Sequence, residues 1–249
     1  MMPPVVQPGK IALMLDFDGT LVPYASETRL IPEVDPRLPG LLERLVQRTG
    51  GATAIVSGRG VAEFDKLLGP IQLAISGAHG FEFRAAPNSP IEFGLAGENL
   101  NRIVEGLERL FALSSAWAEK HRGVYVERKS LTVVLQFHDA LEIADLACQF
   151  AFDTCKVMPD FALQAGRGVA EFRPVVADKG CGIGRLMARV PFSGRIPVFI
   201  GDDLADEAGF LIVNSLGGIS IRVGPGESNA PYRLQDTREV LAFINSIAA

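Results

Sequence analysis

The sequence predicts an α/β protein in which a parallel β-sheet is covered by helices on both faces. Several apolar runs have the length of a strand and no polar interruption, which is typical of strands buried on both faces. Helical patterns lie between them, and strands that alternate with helices indicate a parallel sheet. The apolar runs are residues 11–15, 52–56, 73–75, 197–200 and 218–223, and the helical patterns are residues 36–48, 61–68, 204–214 and 238–247.

The middle of the chain has a different pattern, in which short alternating strands come in pairs and two helical segments are longer. Such pairs favour an antiparallel sheet, here with helices on one face, and a turn at Arg167 supports the second pair. The pairs are residues 124–127 with 131–137 and residues 161–165 with 169–173, and the helical segments are residues 98–120 and 140–156. We therefore predict a parallel core formed by residues 1–84 and 175–249, and an inserted α+β domain at residues 85–174.

Composition and charge exclude several classes of protein. The 249 residues are 48% apolar and 21% charged, as is usual for soluble globular chains. The net charge of −5 argues against a nucleic-acid surface, which would carry a basic stripe. No apolar stretch approaches the roughly 18 residues of a membrane span, and the start lacks the pattern of a signal peptide. We expect a cytoplasmic monomer without nucleic-acid or membrane partners.

The three cysteines predict neither a disulfide framework nor a zinc site. Cys148 and Cys155 fall in one predicted helix, where the rise per residue separates them by about 10 Å, too far for a disulfide. The remaining thiol is Cys181, and the chain has no paired Cys or His spacing of the kind that binds zinc.

The first motif with chemical potential is Asp16-Phe17-Asp18-Gly19-Thr20, directly after the first apolar run. Two carboxylates two residues apart would point the same way in a continuing strand. An Asp-Gly turn that closes a strand explains the same residues equally well. The position favours a function, because open parallel sheets bind ligands outside the carboxyl ends of their strands.

A second acidic motif follows the apolar run at residues 197–200 and contains Asp202, Asp203, Asp206 and Glu207. Helix capping and the helix dipole explain Asp206 and Glu207. Capping and the dipole do not explain why Asp202 and Asp203 also follow a strand end, as Asp16 and Asp18 do. If the two strands are neighbours, carboxylates about 4 Å apart would repel by roughly 4 kcal/mol at an effective dielectric of 20. An all-oxygen cluster of this kind suits Mg²⁺.

Two further residues lie at predicted strand-to-helix transitions. Ser57 offers a hydroxyl beside free backbone N–H groups, which together make a phosphate seat, although serine is also a common helix cap. Lys179 precedes the helical segment 181–188, where the dipole disfavours a cation. A role as counter-charge to phosphate and carboxylate explains it, whereas a lysine considered singly is more often a surface residue.

These four signals, in this order, resemble the haloacid dehalogenase superfamily of phosphatases, which have a Rossmann-like core. The resemblance implies that Asp16 is the nucleophile and Asp18 the general acid and base. It also implies that Asp16, the backbone carbonyl of Asp18 and Asp202 hold Mg²⁺. Asp203, through water, and Asp206 would support the site without binding the metal directly. Phosphate would be bound by Thr20, Ser57 and Lys179.

The resemblance extends over nearly the whole chain to bacterial trehalose-6-phosphate phosphatases. The motifs that carry it are Ser57-Gly58-Arg59, Gly77-Ala78-His79-Gly80, residues 201–207, residues 216–224, Val126-Glu127-Arg128-Lys129 and Glu171-Phe172-Arg173-Pro174. It implies that a sugar phosphate is contacted by Arg59, His79, Glu127, Lys129 and Glu171. Without the resemblance, exposed hairpin charge would explain the last three.

The chain departs from that family at two places. Gln136, Phe137 and His138 stand where the family has His-Tyr-Arg, and Ala205 stands where it has Thr. The expected function is hydrolysis of trehalose 6-phosphate in trehalose biosynthesis, through an aspartyl phosphate on Asp16. One alternative is another sugar phosphate, such as sucrose 6-phosphate or mannosyl-3-phosphoglycerate. A phosphosugar-binding sensor is a non-enzymatic alternative, against which the intact Asp16 and Asp18 argue.

Overall fold

The computed structural model describes residues 1–24, 32–86, 89–94, 98–129, 131–166 and 168–249. The predicted turn residue Arg167 lies outside this set. The strands in the described residues are β1 Ile11–Leu15, β2 Thr53–Val56, β3 Ala74–Gly77, β4 Glu82–Arg84, β5 Glu92–Phe93, β6 Tyr125–Arg128, β7 Val133–Gln136, β8 Phe161–Gly166, β9 Val169–Pro174, β10 Ile196–Gly201, β11 Ile219–Val223 and β12 Tyr232–Leu234. The α-helices are α1 Leu38–Arg48, α2 Val61–Leu68, α3 Glu98–Ala118, α4 Ala144–Val157, α5 Lys179–Met187, α6 Glu207–Ser215 and α7 Thr237–Ala248.

Within the described residues, the main sheet has eight strands in the order β12-β11-β10-β1-β2-β3-β4-β5. The strands from β12 to β3 pair in parallel, and β4 pairs antiparallel to β3. β1 is completely buried because both faces of the sheet are covered. Ile11, Leu13 and Leu15 pack in a cluster with side chains of α1, α2 and α7. Ala12 and Met14 pack on the other face with side chains of α5 and α6.

The strand register decides which residues emerge together at the carboxyl edge of the sheet. Leu15 of β1 pairs with Ile200 of β10 on one side and with Ile55 of β2 on the other. The backbone N–H of Asp16 continues the ladder by donating to the Ile200 carbonyl over 2.9 Å. The segments that follow β1, β2 and β10 therefore begin side by side.

The chain forms two compact units, the first of residues Met1–Glu92 with Asp178–Ala249 and the second of residues Phe93–Ala177. The second unit contains an antiparallel sheet in the order β6-β7-β9-β8. Helix α3 packs on β6 and β7, and α4 packs on β8 and β9. The role of this unit in choosing the substrate stays a prediction.

Several elements differ from the pattern-based expectation. The predicted helix at residues 204–214 begins as the 3₁₀ turn Leu204–Asp206 before α6, because Asp203 and Asp206 form a capping box there. Helix α5 begins at Lys179, two residues early, because the Asp178 side chain accepts the N–H of Cys181 and caps it. The strands β4, β5 and β12 were not predicted, since each is too short to show a periodic pattern.

The sequence predicts neither a disulfide framework nor a membrane-spanning segment. Cys148 and Cys155 share α4 as predicted, and all three cysteines are free. In the part of the chain that the structure describes, no helix combines the length and the apolar character that crossing a membrane requires.

Helix α5 packs closely on β3 and on the turn that follows it, and two of its glycines test this contact. A Cβ at Gly182 would lie 2.5 Å from Ser76 Oγ and 2.8 Å from Gly80 Cα, whereas a Cβ at Gly184 would meet nothing within 4 Å. Gly182→Ala is therefore expected to lower the free energy of unfolding by about 1–3 kcal/mol through overpacking. Gly184→Ala should leave it unchanged or raise it by up to about 1 kcal/mol, because Ala is the better helix former. Urea unfolding followed by circular dichroism measures both, and equal stability of the two variants would contradict the packing.

Candidate active site

The centre of the site is a buried lysine that joins two buried carboxylates. Lys179 Nζ donates to Asp16 Oδ1 over 2.7 Å and to Asp206 Oδ1 over 2.7 Å. Asp16 follows β1, Lys179 is the first residue of α5, and Asp206 ends the 3₁₀ turn after β10. Their exposed fractions are 3%, 3% and 0%, so water does not screen these charges. The sequence-predicted Lys179 and Asp16 therefore lie in direct contact.

Asp206 anchors the acidic motif more fully than helix capping alone explains. Its Oδ2 accepts the backbone N–H groups of Asp202 over 2.8 Å and of Asp203 over 2.9 Å. The backbone N–H of Asp206 in turn donates to Asp203 Oδ1 over 3.2 Å. A Cβ at Gly201 would lie 2.3 Å from Asp206 Cγ, so only glycine fits there. The contact of Asp206 with Lys179 was missed from the sequence, because capping already explained an aspartate at this position.

Asp202 is held by two hydroxyl groups. Thr20 Oγ1 donates to its Oδ1 over 3.1 Å, and the Tyr24 hydroxyl donates to its Oδ2 over 2.7 Å. Gly19 has φ +80°, and a Cβ there would lie 2.2 Å from Asp202 Oδ2. Thr20 thus contacts a predicted metal ligand, and its contact with phosphate stays a prediction. Tyr24 was not predicted, since no motif in the sequence marks it.

The carboxylates offer a site for a divalent metal ion. Ligand oxygens of Asp16, Asp202 and Asp206 all lie within 4.8 Å of one another. Asp206 is fully buried, and its two oxygens accept the Lys179 ammonium and two backbone N–H groups, so it is the member most fully engaged by the protein. Oxygen donors without sulfur or nitrogen suit a hard cation. The donor set therefore fits a divalent metal ion.

Electrostatics favour an additional positive charge at this site. Burial raises the pKa of Asp16 to about 7, and the charges of Asp202 and Asp203 add to the rise while Lys179 opposes it. Burial and then the charge of Asp16 raise the pKa of Asp206 well above its usual range. Burial disfavours the Lys179 ammonium, but Asp16 and Asp206 outweigh it and hold its pKa well above the usual range. One ammonium does not neutralise the cluster, so a cation or a proton is favoured there.

Asp18, the predicted acid and base, is bound by Arg59. Arg59 Nε donates to Asp18 Oδ2 over 2.6 Å and Nη2 donates to Asp18 Oδ1 over 2.8 Å. Arg59 Nη1 donates to Glu63 Oε2 over 3.1 Å. The resemblance predicts that Arg59 contacts the substrate, which stays a prediction, and the guanidinium here binds Asp18 and Glu63. Glu63 was not singled out from the sequence.

Ser57 follows β2 and His79 follows β3, and the two segments are joined by hydrogen bonds. The Ser57 hydroxyl accepts the backbone N–H of Arg59 over 3.2 Å, and the Ser57 carbonyl accepts the N–H of His79 over 3.0 Å. His79 is buried against Gly58, where an added Cβ would lie 2.7 Å from the ring Cε1. Ala78 and His79 have φ +47° and +53°. Such left-handed non-glycine residues are strained by roughly 1–3 kcal/mol each and cluster at functional sites.

The three predicted sugar-binding charges lie in the second unit. Glu127 on β6 and Glu171 on β9 both pair with Val134 of β7, which puts them on one face of the antiparallel sheet. Gln136 Nε2 donates to Glu127 Oε2 over 2.8 Å. Lys129 follows β6, and its backbone N–H donates to the Thr132 carbonyl over 3.0 Å. The sheet thus places on either side of β7 two glutamates that are 44 positions apart in the sequence.

Solved structures share the fold. A trehalose-6-phosphate phosphatase related protein superposes with a TM-score of 0.76 over 96% of both chains, at 24% identity. A haloacid dehalogenase-like hydrolase from Bacteroides thetaiotaomicron superposes with a TM-score of 0.63 over 96% of this chain and 99% of that one, at 15% identity. The fold is therefore that of the haloacid dehalogenase-like hydrolases, and the predicted fold class is confirmed.

Sequence comparison identifies the family. The family model described as Trehalose-phosphatase matches residues 14–238. A probable trehalose-phosphate phosphatase from Sinorhizobium fredii is 38% identical over 86% of this chain and 78% of its own length. The trehalose-6-phosphate phosphatase of Escherichia coli is 33% identical over 96% of this chain and 86% of its own length. The chain belongs to the trehalose-phosphatase family, and the predicted phosphatase class is confirmed.

Replacing Lys179 tests the charge balance of the site. Lys179→Met leaves Asp16 and Asp206 buried without their ammonium, and is expected to lower the free energy of unfolding by about 3–5 kcal/mol near pH 8. A carboxyl group whose pKa is higher in the folded than in the unfolded chain stabilises the fold more as the pH falls. The deficit should therefore shrink toward about pH 5, where both groups take up protons more readily.

Urea unfolding at both pH values measures this effect. The matched control is Lys156→Met, which removes an exposed ammonium 2.9 Å from Asp153 and should change stability little at either pH. A Lys179→Met protein with the stability of the control would contradict the assigned charge balance.

Proposed function

We propose that this protein hydrolyses trehalose 6-phosphate to trehalose and inorganic phosphate, with Asp16 as the nucleophile. The observation that carries the proposal is the buried Asp16 carboxylate at the carboxyl end of β1, bonded to Lys179 beside the acidic motif that follows β10. A phosphate monoester is an anion, so it approaches a carboxylate only where positive charge neutralises both. Family membership supplies the substrate class and does not favour the alternative sugar phosphates or a sensor.

The reaction would proceed in two steps on this chain's own residues. In the first, an Asp16 oxygen bonds to phosphorus, the ester P–O bond breaks, and its electron pair stays on the sugar oxygen, which takes a proton from Asp18. In the second, Asp18 takes a proton from water as the water oxygen attacks phosphorus and the P–O bond to Asp16 breaks. Two easier steps thus replace one difficult step. Ser57 and Lys179 would bind the phosphoryl oxygens.

Mg²⁺ is the proposed metal, held by side chains of Asp16 and Asp202 and by the Asp18 carbonyl. The oxygen-only donor set and the raised carboxyl pKa values support it. Bound there, Mg²⁺ would stabilise negative charge that develops on the phosphoryl group. The monomeric state and the cytoplasmic location stay predictions.

The direct test is phosphate release from trehalose 6-phosphate. The native protein should be inactive after chelation and recover with Mg²⁺, without added zinc. Asp16→Asn should fold normally and lose at least about 10³-fold in kcat, because an amide does not form the acyl phosphate. Folding is checked by thermal unfolding. Substantial turnover by folded Asp16→Asn, or by the metal-stripped protein, would refute the mechanism.

Substrate choice is proposed to depend on the second unit, through Glu127, Lys129 and Glu171. The core residues contact phosphate, which all sugar phosphates share, so discrimination requires groups that bind sugar hydroxyls. Glu127→Ala or Lys129→Ala should lower kcat/KM for trehalose 6-phosphate by roughly ten- to a hundredfold per lost contact. Hydrolysis of p-nitrophenyl phosphate should change far less.

The control for this comparison is Asp153→Ala, which removes an exposed charge from α4 of the same unit. Equal losses of kcat/KM on both substrates would show that Glu127 and Lys129 do not determine substrate specificity. Glucose 6-phosphate or sucrose 6-phosphate cleaved as efficiently by the native protein would overturn the proposed substrate.

A further inference from the structure

Arg59 meets Asp18 in a two-point contact within the site. The fork formed by Nε and Nη2 binds both Asp18 oxygens, at 2.6 and 2.8 Å. The side chains of Arg59 and Asp18 are 18% and 22% exposed, so this pair is largely withdrawn from water. A planar fork on a carboxylate fixes its direction as well as its distance.

Arg59 is itself held from several sides. Its Nη1 donates to Glu63 Oε2, while Glu63 Oε1 accepts the N–H of Gly60 and caps α2. Its backbone N–H donates to Ser57 Oγ, and its carbonyl accepts the N–H of Ala78 over 2.8 Å. The guanidinium is therefore oriented by Glu63 in the first turn of α2, while the Arg59 backbone is fixed by Ser57 and by the strained loop that follows β3.

We infer that Arg59 is a positioning residue for the proton transfers of Asp18, oriented by Glu63, and is not a residue that selects the sugar. The inference rests on the proposed function, because it assigns Asp18 a proton to deliver. Two carboxylates already surround the single guanidinium charge. Little positive charge is left over for a phosphate or a sugar hydroxyl.

The contact is compatible with both proton transfers. Each Asp18 oxygen has two lone pairs, and Arg59 occupies one on each. The other lone pair can carry the proton that goes to the sugar oxygen as the ester P–O bond breaks. The same lone pair can then accept the proton of the water that attacks the aspartyl phosphate on Asp16. Arg59 stays charged and bound throughout, so the carboxylate keeps one direction in both steps.

The test compares two leaving groups. A sugar oxygen needs a proton to depart, whereas p-nitrophenol departs as a stable anion and does not need one in the first step. Arg59→Gln should therefore slow phosphoryl transfer from trehalose 6-phosphate by about 10²-fold, the size of a typical general-acid contribution, with KM nearly unchanged. With p-nitrophenyl phosphate the first step should keep its rate within a few-fold and give a burst, followed by slow turnover as hydrolysis of the aspartyl phosphate is impaired.

Conservative and control variants separate orientation from charge. Arg59→Lys keeps the charge without the fork and should recover only part of the loss, and Glu63→Gln should show the same pattern more weakly. The control is the ion pair between Arg84 and Asp65 of α2. It is also a two-point contact, with distances of 2.8 and 2.6 Å. Asp65→Asn should leave the rates on both substrates unchanged. Thermal unfolding shows which variants are folded. If Arg59→Gln does not fold, Glu63→Gln provides the same test.

Two results would overturn the inference. Equal slowing on both substrates without a burst would make Arg59 structural, and a raised KM for trehalose 6-phosphate at unchanged kcat would make it a substrate ligand. Asp16→Asn assayed in parallel tests the proposed function separately. Its activity would refute the nucleophile, whereas the Arg59 variants decide only the positioning of Asp18.

Discussion

The interaction on which the site depends is the contact of the Lys179 ammonium with the carboxylates of Asp16 and Asp206. Three charged groups are almost fully buried here, and each of them offsets the cost of burying the others. Asp206 also fixes the backbone of the acidic motif, because its second oxygen accepts the N–H groups of Asp202 and Asp203. Asp206 therefore links Lys179 to the backbone of the acidic motif, whose excess negative charge suits a divalent cation.

The parallel pairing of β1 and β10 makes this contact possible. Both strands are apolar and buried on both faces, so their polar residues appear only where the strands end. Glycine at position 19 then lets the loop after β1 approach Asp202, and glycine at position 201 leaves room for the Asp206 side chain within the segment after β10. The apolar core and the acidic site are thus two consequences of the same strand pairing, and a change in register would separate Asp16 from the acidic motif that follows β10.

The fold class and the main carboxylates could be predicted because their signals are local. Unbroken apolar runs report strands buried on both faces, and acidic residues directly after such runs report the ligand-binding edge of the sheet. The short strands β4 and β12 were missed, since backbone pairing rather than a side-chain pattern forms them. The roles of Tyr24 and Glu63 were missed as well, because each depends on a partner that is defined only by folding.

The sequence by itself determined the parallel α/β core, the inserted antiparallel unit and the positions of Asp16, Asp18, Lys179 and Asp202, because residue type and periodicity carry this information. Only the tertiary structure decided which of these groups bond to one another. Asp206 proved to be a partner of Lys179 as well as a helix cap, and Arg59 a partner of Asp18. The physical reason is that the partner of a long, buried charged side chain is distant in sequence. Folding brings the two together, and the residues next to either one in the sequence do not indicate the pairing.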